Sequence, residues 1–243
     1  MEIKIGCCGF ARGKRNYFKK FKVVEIQQTF YKPPPSDYAR QWKLDAPNEF
    51  EFTVKAWQLI THTPKSPTYR RAEIVVKREE EDKLGSFKPT KEVFSAWEEI
   101  LKICEILDSK VIVFQCPASL KPTNENINNM KIFFSTIDRA GLMLVWEPRG
   151  NWPEYVIKDI CHDFKLTHCV DPFKDNSQTT KTAYFRLHGS PPGKKMYNYR
   201  YSKKDLKDLY EICSGFDKVY CMFNNFYMYE NALEFLEMVS DGL

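Results

Sequence analysis

Long apolar runs are missing from this 243-residue chain, and none approaches the roughly 18 to 20 residues that a membrane span requires. Its start, Met1 to Phe10, lacks a charged segment followed by an apolar one. Together these absences predict a cytoplasmic protein with no membrane partner. Cysteine is sparse at eight residues, without a C-x-x-C pair, and most lie inside apolar runs such as Val113-Phe114-Gln115-Cys116. That excludes a disulfide scaffold and predicts reduced thiols that fill the interior. Histidine is scarcer: the four residues His62, His162, His168 and His188 are too few for a multinuclear zinc centre. His162 falls in a predicted helix and His168 at a strand beginning, which predicts structural roles for both. No P-loop, dinucleotide fingerprint or Ser-nucleophile elbow is present, and Gly6-Cys7-Cys8-Gly9 is not a Gly-rich phosphate turn. Internal repeats, low-complexity tracts and linkers are also lacking, so residues 1–243 are expected to form a single domain.

What is present is an ordinary globular composition, 43% hydrophobic and 28% charged, enough to bury a sizeable core. With 37 Lys and Arg against 32 Asp and Glu, the net charge of +5 is too small to prove a polyanionic partner. Eight apolar, β-branched or aromatic runs recur along the chain, at 3–8, 23–29, 50–57, 110–116, 142–147, 167–171, 183–188 and 218–224. Val111-Ile112-Val113-Phe114 and Leu142-Met143-Leu144-Val145 are apolar on consecutive residues, the mark of parallel strands buried on both faces. Helical spacing falls between them, at 36–45, 90–107, 123–140, 153–164, 202–213 and 229–239. Thr90 is a candidate N-cap, and Gly141 is placed to stop the helix before the fifth strand. Eight such units in 243 residues predict a single (β/α)8 TIM-type barrel, whose usual size is about 250 residues. Residues 58–90, rich in charge, Pro and Thr, read as an elaborated loop after strand 3.

In a barrel the active site lies at the C-terminal ends of the strands. Those ends carry Glu25 and Thr29, Lys55, Gln115, Glu147 and Arg149, Asp171, Arg186 and His188, and Asn224 and Asn225. The period of two predicts that Glu147 points with Arg149, and Arg186 with His188. So many ionisable groups cost several kcal/mol each to bury unless they pair, and all eight strands seldom end polar for packing alone. The group is therefore read as a site. Glu25 and Glu147 are the acid/base candidates, with Asp171 in the same catalytic set and His188 as a proton shuttle. Lys55, Arg149 and Arg186 would clamp an anion, and Asn224 and Asn225 would orient it.

The strings Val24-Glu25-Ile26-Gln27-Gln28-Thr29-Phe30-Tyr31, Phe52-Thr53-Val54-Lys55-Ala56, Thr61-His62, Phe114-Gln115-Cys116-Pro117, Glu147-Pro148-Arg149, Phe185-Arg186-Leu187-His188-Gly189 and Phe223-Asn224-Asn225 with Asn231-Ala232 resemble successive motifs of the YecE-like family, domain of unknown function 72. The resemblance runs in family order across nearly the whole chain. It implies a TIM-type barrel and leaves the reaction open. It adds Tyr31 to the recurrent polar positions already named. One departure is that Trp152 follows Glu147-Pro148-Arg149 a residue earlier than the family spacing. The family is compared in architecture with the endonuclease IV and xylose isomerase barrels, which are metal enzymes. No metal or other cofactor is expected here, because Lys55, Arg149 and Arg186 can neutralise the carboxylates. The alternative is a single Mg²⁺ or Mn²⁺ on the oxygen ligands Glu25, Glu147 and Asp171.

Local charge says more than the total. The loop after strand 1 holds Arg12, Lys14, Arg15, Lys19, Lys20 and Lys22 without an acid, among Tyr17, Phe18 and Phe21. The loop after strand 7 holds Lys194, Lys195, Arg200, Lys203 and Lys204 among Tyr197, Tyr199 and Tyr201. Barrels commonly bind phosphate near the loops after strands 7 and 8. The leading expectation is a hydrolase or lyase acting by acid/base chemistry on a small anionic, phosphate-bearing substrate. One alternative is a nucleic-acid binding or repair-related protein, with Lys19, Lys20, Lys194 and Lys195 on phosphates and Tyr197 stacked on a base. Another is a noncatalytic small-ligand sensor.

Overall fold

Consecutive β-branched and aromatic residues give strands apolar on both faces, and each must be covered by helices on one side and by other strands' side chains on the other. In the computed structural model, which describes residues 1–242, the order is β1 (Glu2–Cys7), α1 (Lys14–Tyr17), β2 (Val23–Ile26), α2 (Gln28–Tyr31), α3 (Ser36–Asp45), β3 (Glu51–Lys55), α4 (Gln58–Thr61), α5 (Pro67–Arg71), a 3-10 helix (Arg78–Lys83), α6 (Lys91–Leu107), β4 (Val111–Gln115), α7 (Asn124–Thr136), β5 (Met143–Glu147), α8 (Glu154–Asp163), β6 (Thr167–Val170), β7 (Thr182–Leu187), α9 (Lys203–Cys213), β8 (Lys218–Phe223) and α10 (Met228–Ser240). The eight parallel strands follow one another in chain order around a closed barrel, the (β/α)8 topology.

The chain divides into two compact units. The first comprises Met1–Ile26, Asp45–Phe52 and the described residues from Thr167 onward. Here β8 pairs with β1 from Glu2↔Lys218 to Cys7↔Phe223 and with β7 from Thr182↔Lys218 to Leu187↔Phe223. Gly6 is required where β1 meets β2, because a Cβ there would lie 2.3 Å from the Val23 carbonyl oxygen. The Tyr17 hydroxyl ties the first loop to both strands, donating to the Val23 carbonyl at 2.8 Å and accepting from the Cys7 amide at 2.7 Å. A capping box, in which Ser202 and Asp205 satisfy each other's backbone N–H, opens α9.

The second unit comprises Gln27–Leu44 and Thr53–Leu166. Five residue pairs, Val111↔Met143 to Gln115↔Glu147, join β4 to β5. The Thr90 hydroxyl accepts from the Val93 amide and starts α6, and Thr123 does the same for α7. The apolar faces of α6 and α7 close over β4 through the rings of Phe87, Trp97, Phe114, Phe133 and Phe134, each in contact with at least one other ring.

Three details depart from the sequence expectations. Strand β2 ends at Ile26, and Thr29 lies instead in the helical turn of α2, where its hydroxyl donates to the Lys55 carbonyl at 2.7 Å. Helix α7 stops at Thr136, before Ala140 and Gly141, because Ile137 turns extended and is buried. The Arg139 guanidinium then caps the helix end by donating to the Phe134 carbonyl. The segment after β3 is elaborated as expected, but by α4, α5 and the 3-10 helix, not by irregular chain alone.

Candidate functional site

The sites are built at the strand ends, where strand residues alternate between facing the barrel interior and facing the helices. In the first unit Glu25 and Arg186 lie one residue before the ends of β2 and β7. Both side chains are enclosed, 0% and 1% exposed, and the guanidinium lies 3.0 Å from the Glu25 carboxylate. The Tyr184 hydroxyl donates to the other carboxylate oxygen at 2.9 Å. Glu25 and Arg186, expected as an acid/base group and an anion clamp, are thus engaged with each other inside the barrel. Burial explains the pairing: a carboxylate without water is stable only beside a cation and hydrogen-bond donors.

Two residues beyond Arg186, His188 meets Asp171 from the end of β6. Asp171 Oδ2 accepts the His188 backbone N–H at 2.9 Å and lies 3.3 Å from its Nδ1, while Oδ1 accepts from the Phe173 amide at 3.2 Å. Both side chains are nearly buried, 8% and 7% exposed. The carboxylate therefore fixes the ring's orientation and favours a proton on Nδ1, which leaves the basic lone pair on Nε2. Asn225, expected to orient substrate, is buried just after β8. Its amide donates to the Tyr199 carbonyl at 2.6 Å and to Asn231 Oδ1 at 3.0 Å, and Asn231 in turn holds both backbone groups of Tyr201. These amides strap the loop after β7 to α10. Asn224, half-buried, bonds through its backbone to the Leu187 carbonyl at 2.9 Å.

The second unit carries its own polar cluster. Arg149 reaches back to Glu147, with Nε and an Nη each 3.0 Å from the same carboxylate oxygen, as the two-residue period predicts. Gln115 is the register partner of Glu147 across β4 and β5. Lys55 Nζ sits 3.9 Å from the centroid of the Phe30 ring, and His62 meets that ring edge-on at 4.9 Å. His62 is buried, and its Nδ1 is 2.8 Å from the Thr61 hydroxyl. Burial first, then the cations Lys55 and Arg149, push its pKa down to about 3, against the opposing pull of Glu147. The imidazole is accordingly neutral at physiological pH. Sequence reasoning assigned His62 no role. The signal that could have found it was the Thr61-His62 pair opening the elaborated segment. Tyr31 is half-buried and contributes its carbonyl to Trp57 and Gln58. Trp152 packs inward, edge-on to Trp146 and donating to the Leu120 carbonyl at 3.0 Å.

The other expectations sort by burial. All eight cysteines are buried free thiols, and desolvation pushes Cys7, Cys104, Cys116 and Cys161 up to about 12. These four are thiols without nucleophilic character at neutral pH. His168 is buried and accepts from the Gln178 amide at 3.1 Å, while His162 is exposed on α8, so neither faces a site. The basic loops change most. Tyr17 and Phe21 turn into the core, and Phe18, half-buried, packs edge-on to Phe10 and Phe50. Arg12, Lys14 and Arg200 are paired with Glu230, Asp45 and Glu234. Lys19, Lys20, Lys194 and Lys195 stay exposed. A groove of about 600 Å³ runs along the elaborated segment between Pro64 and Val75, and no predicted site residue lines it. Among the described residues, no three His, Cys, Asp or Glu side chains are gathered as a metal would need, and no helix is long and apolar enough to cross a membrane.

A closed barrel of eight parallel strands with helices between them defines the class, a TIM-barrel protein. Within that class the chain belongs to the family described as protein of unknown function DUF72, whose model matches residues 11–242. Solved structures agree with the fold. A DUF72 family protein from Thermotoga maritima is 23% identical, covering 99% of this chain and 100% of that one, with a TM-score of 0.73. A xylose isomerase domain containing protein from Salmonella typhimurium is 12% identical over 98% of this chain and 96% of that one, TM-score 0.60. Endonuclease IV from Thermus thermophilus is 8% identical over 99% and 98%, TM-score 0.55. No curated protein matches the chain.

Proposed function

We propose that this protein is an enzyme that uses acid/base chemistry, as a hydrolase or lyase, on a small anionic, phosphate-bearing substrate, with His188 as the proton-transfer group. The observation that carries the reading is the double grip of Asp171 on His188, through the backbone N–H at 2.9 Å and Nδ1 at 3.3 Å. A base held by a third group is the arrangement that proton transfer requires. Nε2 takes a proton from substrate or water, Asp171 stabilises the imidazolium, and the same nitrogen returns the proton to the leaving group. Lys194 and Lys195, exposed in the loop that follows His188, supply positive charge for phosphate. In the second unit Lys55, Arg149 and the neutral His62 offer a further set of donors for an oxyanion.

Incubation with a panel of phosphorylated metabolites, read by mass spectrometry, tests this reading. Turnover of at least one compound is expected, and His188→Gln should lower kcat by about 10²-fold or more while leaving the far-UV spectrum unchanged. Binding without turnover in the wild type would instead support the sensor. A nucleic-acid role keeps one observation in its favour, the exposure of Lys19, Lys20, Lys194 and Lys195.

A further inference from the structure

Where the loops after β7 and β8 meet, aromatic and apolar surface stands in solvent. Phe226 is 75% exposed, Met196 53% and Tyr227 39%. These residues are held and not adrift, because the Phe226 amide donates to the Tyr197 carbonyl at 2.8 Å and the Tyr197 amide donates to the His188 carbonyl at 2.7 Å. Tyr197 adopts φ 67°, a left-handed conformation rare for an aromatic residue. Both its backbone groups are bonded, so the surroundings impose that conformation, and such imposed strain gathers at ligand sites. Its ring meets the His188 ring edge-on, with centroids 5.8 Å apart. Tyr197 thus links His188, through its ring, to the backbone of Phe226, whose own ring stands in solvent. Lys194 and Lys195 immediately precede Met196, exposed and without an ion pair among the described residues.

We propose that this rim binds a single nucleoside monophosphate, with the base stacked on Phe226 and the phosphate on Lys194 and Lys195. The inference rests on the phosphate-bearing substrate proposed above and names its class. Flat aromatic surface beside uncompensated cations is complementary to a base joined to a phosphate. A longer strand fits less well. Arg200, the next cation of this loop, is already paired with Glu234 of α10 and so offers no uncompensated charge to a second phosphate.

Calorimetric titration of the intact protein with 5′-AMP, ribose 5-phosphate and inorganic phosphate tests the proposal without depending on turnover. 5′-AMP is expected to bind about tenfold or more tightly than ribose 5-phosphate, the difference being the stacked base. Phe226→Ala should abolish that difference and leave ribose 5-phosphate binding unchanged, whereas Phe226→Trp should keep it. Lys194→Ala with Lys195→Ala should weaken both ligands alike. Equal affinities in the wild type, or a difference that survives Phe226→Ala, would overturn the base site while leaving the phosphate reading intact. Failure of all three ligands to bind would remove both. A single-stranded deoxyadenosine oligomer that binds far more tightly than 5′-AMP would overturn the single nucleotide in favour of a strand.

Discussion

Glu25 and Arg186 illustrate how much a single buried residue can cost. With both side chains enclosed and 3.0 Å apart, Glu25→Gln removes the carboxylate charge from beside a buried guanidinium, and breaking such a pair typically costs about 3–5 kcal/mol. An isosteric substitution is thus expected to destabilise the fold as well as any activity, and urea denaturation would show it as a lower midpoint. Glu147→Gln should cost less, since its partner Arg149 is 28% exposed and water can replace the lost carboxylate. Equal midpoints in the two variants would show that the Glu25 charge contributes no more to the fold than that of Glu147. His62 makes a second prediction. Its unfolded imidazole takes a proton near pH 6.5 and its folded one only near 3. Between those values the unfolded chain binds more protons. The contribution of His62 to stability is therefore complete above pH 6.5 and declines as the pH falls toward 3, by up to about 1.4 kcal/mol per pH unit. Stability curves of wild type and His62→Gln are expected to converge over this range as the pH drops, and parallel curves would refute the burial of a neutral imidazole.

At the level of elements, the tightest constraint is the approach of β2 to β1 at Gly6. A methyl group there would meet the Val23 carbonyl oxygen at 2.3 Å and the Tyr17 hydroxyl at 3.1 Å, both part of the lock that holds the first loop. Neither backbone nor a buried tyrosine yields easily, so Gly6→Ala is expected to destabilise by a few kcal/mol, on the scale of an overpacked core. Thermal unfolding followed by circular dichroism measures this directly, and an unchanged Tm would show that β1 can shift. Elements were the most legible level in the sequence. The strand runs lie within one or two residues of the observed ends, except that β2 is shorter by three, and Thr90, Thr123 and Ser202 cap the helices they precede. These signals are local: a hydroxyl and an amide three residues apart suffice. The helix end at Thr136 was not legible, because Arg139 caps it through carbonyls as distant in sequence as Phe164.

Across the whole molecule the net charge of +5 is distributed unevenly, and ion pairs remove part of the apparent basic rim. With Lys19, Lys20, Lys194 and Lys195 as four phosphate contacts, affinity for a single strand is expected to fall with salt at a log-log slope near −3. Reversing those four charges together should flatten the slope, while binding that ignores salt would eliminate the nucleic-acid alternative. The closed barrel was readable from the chain alone, since consecutive apolar runs and 3.6-residue periodicity specify buried parallel strands and covering helices. So was the place of the polar residues at the strand ends, Thr29 in α2 excepted, and the two-residue period paired Glu147 with Arg149. What those polar groups touch was decided only by tertiary contacts. Glu25 and Tyr184 meet across 159 positions, Asp171 grips His188 from another strand, and Tyr17 and Phe21 turn inward while Phe226 is left in solvent. The physical reason is that periodicity fixes the face a side chain takes, whereas its depth, its counter-ion and its protonation depend on partners that only the closed barrel brings within reach.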